Sequence, residues 1–265
     1  MVTKQEIEEY IDKIPPASDA LQKTLLFLNE GELTKAAQVA QKELALKAYL
    51  TNLVNKPIYG LKHQVNDISQ IFGILGVSGS QQVVYHYMIS LLSPKKWEFF
   101  KLNETIFSSL QAELSASWMK ILQHLKIKNK EVESAIALLP ASIIVAEALF
   151  RDKKQDVELL RENAEIDLNT ILQRLCGMDL FDISAQIAQK WNMSKTISTI
   201  VLASSGVKPS SNDSVNLLGK WMHLLLFFTL SKPSYINANL NDFIEFQINY
   251  VEDIYEDFQK VMSIS

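Results

Sequence analysis

Leu50-Thr51-Asn52-Leu53-Val54-Asn55-Lys56-Pro57-Ile58-Tyr59-Gly60 carries a helix end and a corner in one short run. Leu46, Leu50, Leu53 and Val54 recur at helical spacing, so one apolar stripe leads into it. Pro57 disfavours helical backbone at the residue before it, and the helix must stop there. Asn55 then stands where a short polar side chain can bond the backbone groups orphaned at a helix end. Tyr59 is expected to turn its ring inward and Gly60 to release the chain. Beyond the corner Asn66 can cap a further helix, with Ile68, Ile71, Phe72 and Leu75 inward and Gly76 as its stop.

The same period runs outward in both directions. Ile7, Tyr10, Ile11 and Ile14 form a first stripe, ended by Pro15-Pro16. Ser18 caps a helix with Leu21, Leu25 and Leu28 inward that ends near Gly31, and Thr34 can open a short helix through Ala40. A sixth segment runs from about Gln81 to Leu92. Pro94-Lys95-Lys96-Trp97 makes the best internal boundary, and Asn103 or Thr105 opens a long helix beyond it. Glu131 to Phe150 carries Pro140 in its middle, which predicts a kink or a split. Asp182–Trp191, Ser194–Ser204, Asp213–Leu230 and Asp242–Met262 supply the remainder, and no segment alternates with period two. The class is all-α, with an N-terminal helical part over residues 1–94 and a second over 95–265.

Composition agrees. The chain has 265 residues, 48% hydrophobic and 21% charged, enough for a buried core. Gly occurs only 8 times, too seldom for a turn-rich β or dinucleotide-binding fold. The net charge of −4 argues against a nucleic-acid footprint, which is usually basic and clustered. One Cys rules out a disulfide framework and points to a reducing cytoplasm. Two apolar stretches, Ile68–Pro94 and Ala135–Phe150, are read as buried helices and not membrane spans, because polar residues or Pro interrupt each.

Chemistry-bearing residues are scattered. His63, His86, His124 and His223 are the only imidazoles, and none lies three or four residues from another, so a helix-borne zinc motif is missing. Cys176, at a helix end in Leu175-Cys176-Gly177, is read as a small buried hydrophobe. Gly73, Gly76 and Gly79 fit neither a phosphate-binding loop nor a dinucleotide fingerprint. Lys126, Lys128, Lys130 and Lys153-Lys154 lack interleaved aromatics and read as solvated helix ends. The C-terminal run is more one-sided: Asp242, Glu245, Glu252, Asp253, Glu256 and Asp257 meet no Lys or Arg until Lys260. Glu252, Asp253, Glu256 and Asp257 are therefore the candidate partner-binding residues.

Ile14-Pro15-Pro16-Ala17, Leu50 to Asn55, Pro57-Ile58-Tyr59-Gly60 and Ile68 to Gly76 together resemble the HDOD family, metal-free relatives of HD-superfamily phosphohydrolases used in bacterial signalling. Ile187 to Met193 continues the resemblance, which fades near Thr229. It implies an HD-like helical bundle in which Pro15, Pro16, Asn55, Tyr59, Gly60, Leu75 and Gly76 form the structural motif. An HD hydrolase would want a His near Phe107-Ser108-Ser109, His-Asp near Leu139-Pro140-Ala141 and a polar ligand near Ala203-Ser204-Ser205. This chain holds none of them.

The expectation is a stand-alone, cytoplasmic signalling protein that is not an enzyme. It would use no catalytic residue, metal or cofactor and act by binding protein partners or a small ligand, with no nucleic acid and no membrane. Two rivals stand beside it: a degenerate HD-type phosphohydrolase or nucleotide-binding sensor, and a small-molecule sensor with a pocket between the two halves.

Overall fold

A computed structural model describes residues 4–13, 18–55, 61–164, 166–191 and 193–263. Its helices are α1 (Lys4–Lys13), α2 (Asp19–Asn29), α3 (Leu33–Ala40), α4 (Leu44–Val54), α5 (Ile68–Leu92), α6 (Glu104–His124), α7 (Lys130–Ser134) and α8 (Leu138–Asp152). They continue as α9 (Lys154–Ala164), α10 (Leu168–Cys176), α11 (Leu180–Lys190), α12 (Lys195–Ala203), α13 (Asp213–Leu230), α14 (Pro233–Ile236), α15 (Ile248–Val251) and α16 (Tyr255–Met262). Among the described residues there is no strand. The protein is all-α.

Two compact units emerge. The larger holds Met1–Ile14, Leu92–Lys128 and Ala135–Ser265; the smaller holds Pro15–Leu91 and Asn129–Ser134. This differs from a single cut after residue 94. Ile7 and Ile11 of α1 are buried, and α1 packs on α8, α10 and α11 of the larger unit. The short α7 belongs to the smaller unit instead.

In the smaller unit α2 and α3 form a helical hairpin. Ser18 accepts the Leu21 amide at the start of α2, and Gly31 takes φ 81° in the turn. Leu21, Leu25, Leu28, Ala36, Ala37 and Ala40 are buried along it. The cap of α3 is Glu32 and not Thr34. Asp67, not Asn66, caps α5 by accepting the Gln70 amide at 3.0 Å. Gly76 then breaks α5 with φ 67° and ψ −176°, a region only Gly enters cheaply. Ile68, Ile71 and Phe72 are buried, whereas Leu75, expected inward, is half-buried beside that break.

In the larger unit Asn103 caps α6 through the Ile106 amide at 2.8 Å. The expected split around Pro140 is present. A 3-10 turn over Ala135–Ala137 precedes α8, which places Pro140 in the first turn, where its missing N–H breaks no helical bond. Of the 18-residue apolar window within Val132–Asp152, the stretch apolar and long enough to cross a membrane, 94% is buried inside the protein. Asp179 caps α11 in a reciprocal box with Asp182, so that helix starts earlier than the sequence pattern suggests. The helix α9 lies outside the predicted segments, and α10 ends at Cys176 before Gly177, where the sequence places a helix end.

The expected helix over Asp242–Met262 is broken. Ile244 is extended, and 3-10 turns occupy Asn241–Phe243 and Glu252–Ile254. Across these breaks Phe243, Val251, Ile254 and Phe258 are all buried.

Candidate functional site

The corner comes first. The Asn55 amide donates to the Thr51 carbonyl at 2.8 Å and the Val65 carbonyl at 2.9 Å. Its oxygen accepts the Val65 amide at 2.9 Å. Asn55 thus closes the helix end, as expected, and also pins the far side of the loop. Pro15, Pro16, Tyr59 and Gly60 lie outside the described residues.

The positions where an HD hydrolase would want ligands hold no imidazole or carboxylate. Ser108 is exposed on α6, while Pro140 and Ala141 are buried in the first turn of α8. The Ser204 hydroxyl donates to the Val201 carbonyl at 2.6 Å and that of Ser205 to the Leu202 carbonyl at 2.7 Å. Among the described residues no three His, Cys, Asp or Glu side chains gather as a metal set would require.

One buried carboxylate on α8 is taken up by backbone. Glu147 accepts the amides of Glu98 at 2.6 Å, Phe99 at 3.1 Å and Phe100 at 2.9 Å. This clasp holds the loop whose Phe99 and Phe100 rings meet Phe150, at 4.9 and 6.2 Å between centroids. Phe243 joins the cluster 5.4 Å from Phe100.

His223 is fully buried on α13. Its Nε2 accepts the Gln247 amide at 3.2 Å, so its Nδ1 carries the proton and donates to the Ser204 carbonyl at 2.9 Å. Burial pushes its pKa down, with the bond to Ser204 opposing. Gly206 packs against this junction: a Cβ there would stand 2.7 Å from Gln247 Cγ and 3.1 Å from His223 Cε1.

Lys208 donates to Asp179 at 2.7 Å and Asp182 at 2.6 Å, joining the start of α11 to the loop after α12. Burial raises the Asp179 pKa against the pull of Lys208. Lys208 itself is disfavoured by burial, yet its two carboxylate partners hold it above the usual range. A cleft of about 110 Å³ lies alongside, lined by residues including Asp167, Thr170, Asp179, Ser205, Glu245 and Gln247. The sequence reading missed Lys208 and Asp179, because their partnership spans a long stretch of chain and no local spacing announces it. Cys176 is buried and its thiol pKa is raised by burial, consistent with a packing role.

The acidic C-terminal residues are brought to one region, but not as uniformly free charge. Glu252, Asp253, Glu256 and Asp257 are exposed. Lys220 holds Asp253 at 2.7 Å and Lys260 holds Asp257 at 3.3 Å. Glu252 and Glu256 remain unpaired among the described residues.

The architecture is that of an all-helical, HD-like domain, and the comparisons give the family. A model of the HDOD domain matches residues 14–206, and the chain belongs to the HDOD domain family. It is similar in fold to a crystallised HDOD domain protein of unknown function from Geobacter sulfurreducens. That likeness has a TM-score of 0.63 and 14% identity, covering 98% of this chain and 96% of that one. A virulence factor from Campylobacter jejuni aligns at a TM-score of 0.44 and 15% identity, over 97% of this chain and 93% of the other. No curated protein sequence matches. The family match ends at Gly206, so His223, Gln247 and the acidic surface lie beyond it.

Proposed function

We propose that this protein is a non-catalytic regulatory protein of bacterial signal transduction, acting in the cytoplasm by binding a protein partner. Its contact surface includes Glu252, Asp253, Glu256 and Asp257, and it needs no metal or cofactor. One observation carries the reading: the positions matched to HD ligands hold Ser108, Pro140, Ala141 and Ser204. Pro and Ala offer no ligating side chain. The Ser204 hydroxyl is spent on the Val201 carbonyl. Hydrolysis of the HD type depends on cations that polarise phosphate and activate water, and those require imidazole or carboxylate donors.

The cleft beside Asp179 is too small to enclose a nucleotide. At about 110 Å³ it is well below the ~300–1,000 Å³ of sites that enclose drug-sized ligands. Single buried Cys176 fits a reducing compartment.

The test is turnover of phosphomonoesters, nucleotides and cyclic dinucleotides with added manganese, magnesium or iron, beside elemental analysis of the dialysed protein. No hydrolysis is expected. Turnover abolished by chelation, with metal retained through dialysis, would overturn the reading. Charge reversal at Glu252, Asp253, Glu256 and Asp257 should abolish partner capture from native cells with the fold intact, and unchanged capture moves the contact elsewhere.

A further inference from the structure

We infer that the C-terminal face of the larger unit docks an arginine-bearing segment of another protein, with Phe227, Phe246 and Tyr255 as its aromatic centre. This rests on the protein-binding reading and gives it a surface and a partner chemistry.

The three rings form a continuous strip: Phe227 and Phe246 stack with centroids 4.7 Å apart, and Phe246 and Tyr255 lie 6.1 Å apart. The core does not close over them. Phe227 and Phe246 are half-buried and Tyr255 is 41% exposed. Ile248, two residues past Phe246, is 59% exposed. Single exposed apolar residues need no explanation, but contiguous aromatic surface marks a contact.

The strip is also held from beneath. Phe246 lies over His223, 6.5 Å between centroids, and both His223 nitrogens are bonded. The Tyr250 hydroxyl is fixed by the Asn216 side chain at 2.9 Å. Side chains ordered before binding lose less entropy when a partner arrives.

Charge selects the occupant. Lys220 and Lys260 are taken by Asp253 and Asp257, so Glu252 and Glu256 beside Tyr255 carry uncompensated negative charge. A guanidinium meets both demands at once, since it stacks on an aromatic face and pairs with a carboxylate. A second copy of this chain does not: a two-fold contact here would set Glu252 and Glu256 against themselves.

The experiment uses the full chain and a fluorescent amphipathic peptide with arginines on one edge and leucines on the other. A matched peptide with glutamates replacing the arginines is the control. The arginine peptide is expected to bind, the glutamate peptide not, and added salt to weaken the complex. Tyr255→Ser and Ile248→Ser, both at exposed positions, should each weaken binding about tenfold, with circular dichroism and melting unchanged. If charge reversal at Glu252 and Glu256 weakens binding but Tyr255→Ser and Ile248→Ser do not, the aromatic centre is refuted while the acidic contact stands. If neither set matters, or no peptide binds, both fall. Concentration-dependent dimerisation lost in Tyr255→Ser would assign the strip to a second copy and overturn the inference.

Discussion

Replacing Glu147 by Gln or Ala should destabilise the larger unit strongly, although neither change touches the C-terminal surface. Glu147 is 1% exposed and accepts three backbone amides. The Phe100 amide lies in a fully buried bond. Losing its acceptor exposes that N–H to a desolvation penalty of about 1–3 kcal/mol. The amides of Glu98 and Phe99 are only partly buried and can recover water, so each should cost about 1 kcal/mol. Glu147→Ala should therefore cost about 4 kcal/mol, a value single substitutions reach only when a buried network is broken. Glu147→Gln keeps the shape and one carbonyl oxygen but sets an NH2 group against an N–H. Its cost should be about 2 kcal/mol. All four tryptophans, Trp97, Trp118, Trp191 and Trp221, lie in the larger unit, so their fluorescence in a urea titration reads this unit alone. Both variants within 0.5 kcal/mol of wild type would show that the carboxylate is not what holds the aromatic loop.

Other outcomes follow from the same geometry. Asn55→Ala removes three backbone contacts across the corner and should cost about 1–2 kcal/mol, seen as a lower melting temperature. Gly76→Ala forces a Cβ into a Gly-only backbone region and should cost about 1–3 kcal/mol, read by urea denaturation followed at the far-ultraviolet helix signal. Burial lowers the pKa of His223 below the ordinary ~6.5, so the unfolded chain binds the proton more readily. Stability reported by tryptophan should thus be full above pH ~6.5 and fall below it, and His223→Gln should flatten that fall. His86 in α5 is pushed down to about 4 by burial. The smaller unit should lose on the order of 2–3 kcal/mol between pH ~6.5 and that value, a loss absent in His86→Gln when followed by hydrogen exchange of the α4 and α5 amides.

Much of the helical plan was legible because it rests on local signals. Ser18 and Asn103 each precede an apolar stripe by the right offset, and each accepts an amide as a cap. Gly76 and Pro140 read correctly as breaks for the same reason. The helix α10 was equally marked, with Asp167 before Leu168, Ile171, Leu172 and Cys176, and Gly177 after them in the left-handed region. Only its end at Cys176-Gly177 is legible, because Asn, Thr, Gln and Arg dilute the stripe. The failure over Asp242–Met262 has another cause. Phe243, Tyr250, Ile254 and Phe258 recur at helical spacing, but the sequence does not show that Phe243 packs with Phe100 and Phe150, ahead of an extended Ile244. Of the candidate site, the acidic residues were visible as charge, but their neutralisation by Lys220 was not. Nor were the Glu147 clasp, the Lys208 bridge or the His223 junction, each closed between residues far apart in sequence.

The family match ends at Gly206, but the physical unit does not. The last matched helix, α12, packs on α13, and α13 packs in turn on α6. Trp221, Met222, Leu224, Leu225 and Leu226 of α13 are buried to 2% exposure or less. Each such side chain contributes about 1.5–3 kcal/mol on burial, comparable in sum to the whole stability of a domain of ~5–15 kcal/mol. Gly219 sets how closely these helices approach: a Cβ there would lie 2.6 Å from the Ala203 Cβ. Residues 207–263 are therefore part of the core and not an appendage to it. That bears on the proposed contact, because an acidic tail without a scaffold would have to be ordered at each encounter. Here Val251, Ile254 and Phe258 anchor the segment from beneath, and the exposed carboxylates and Tyr255 project from a surface already fixed.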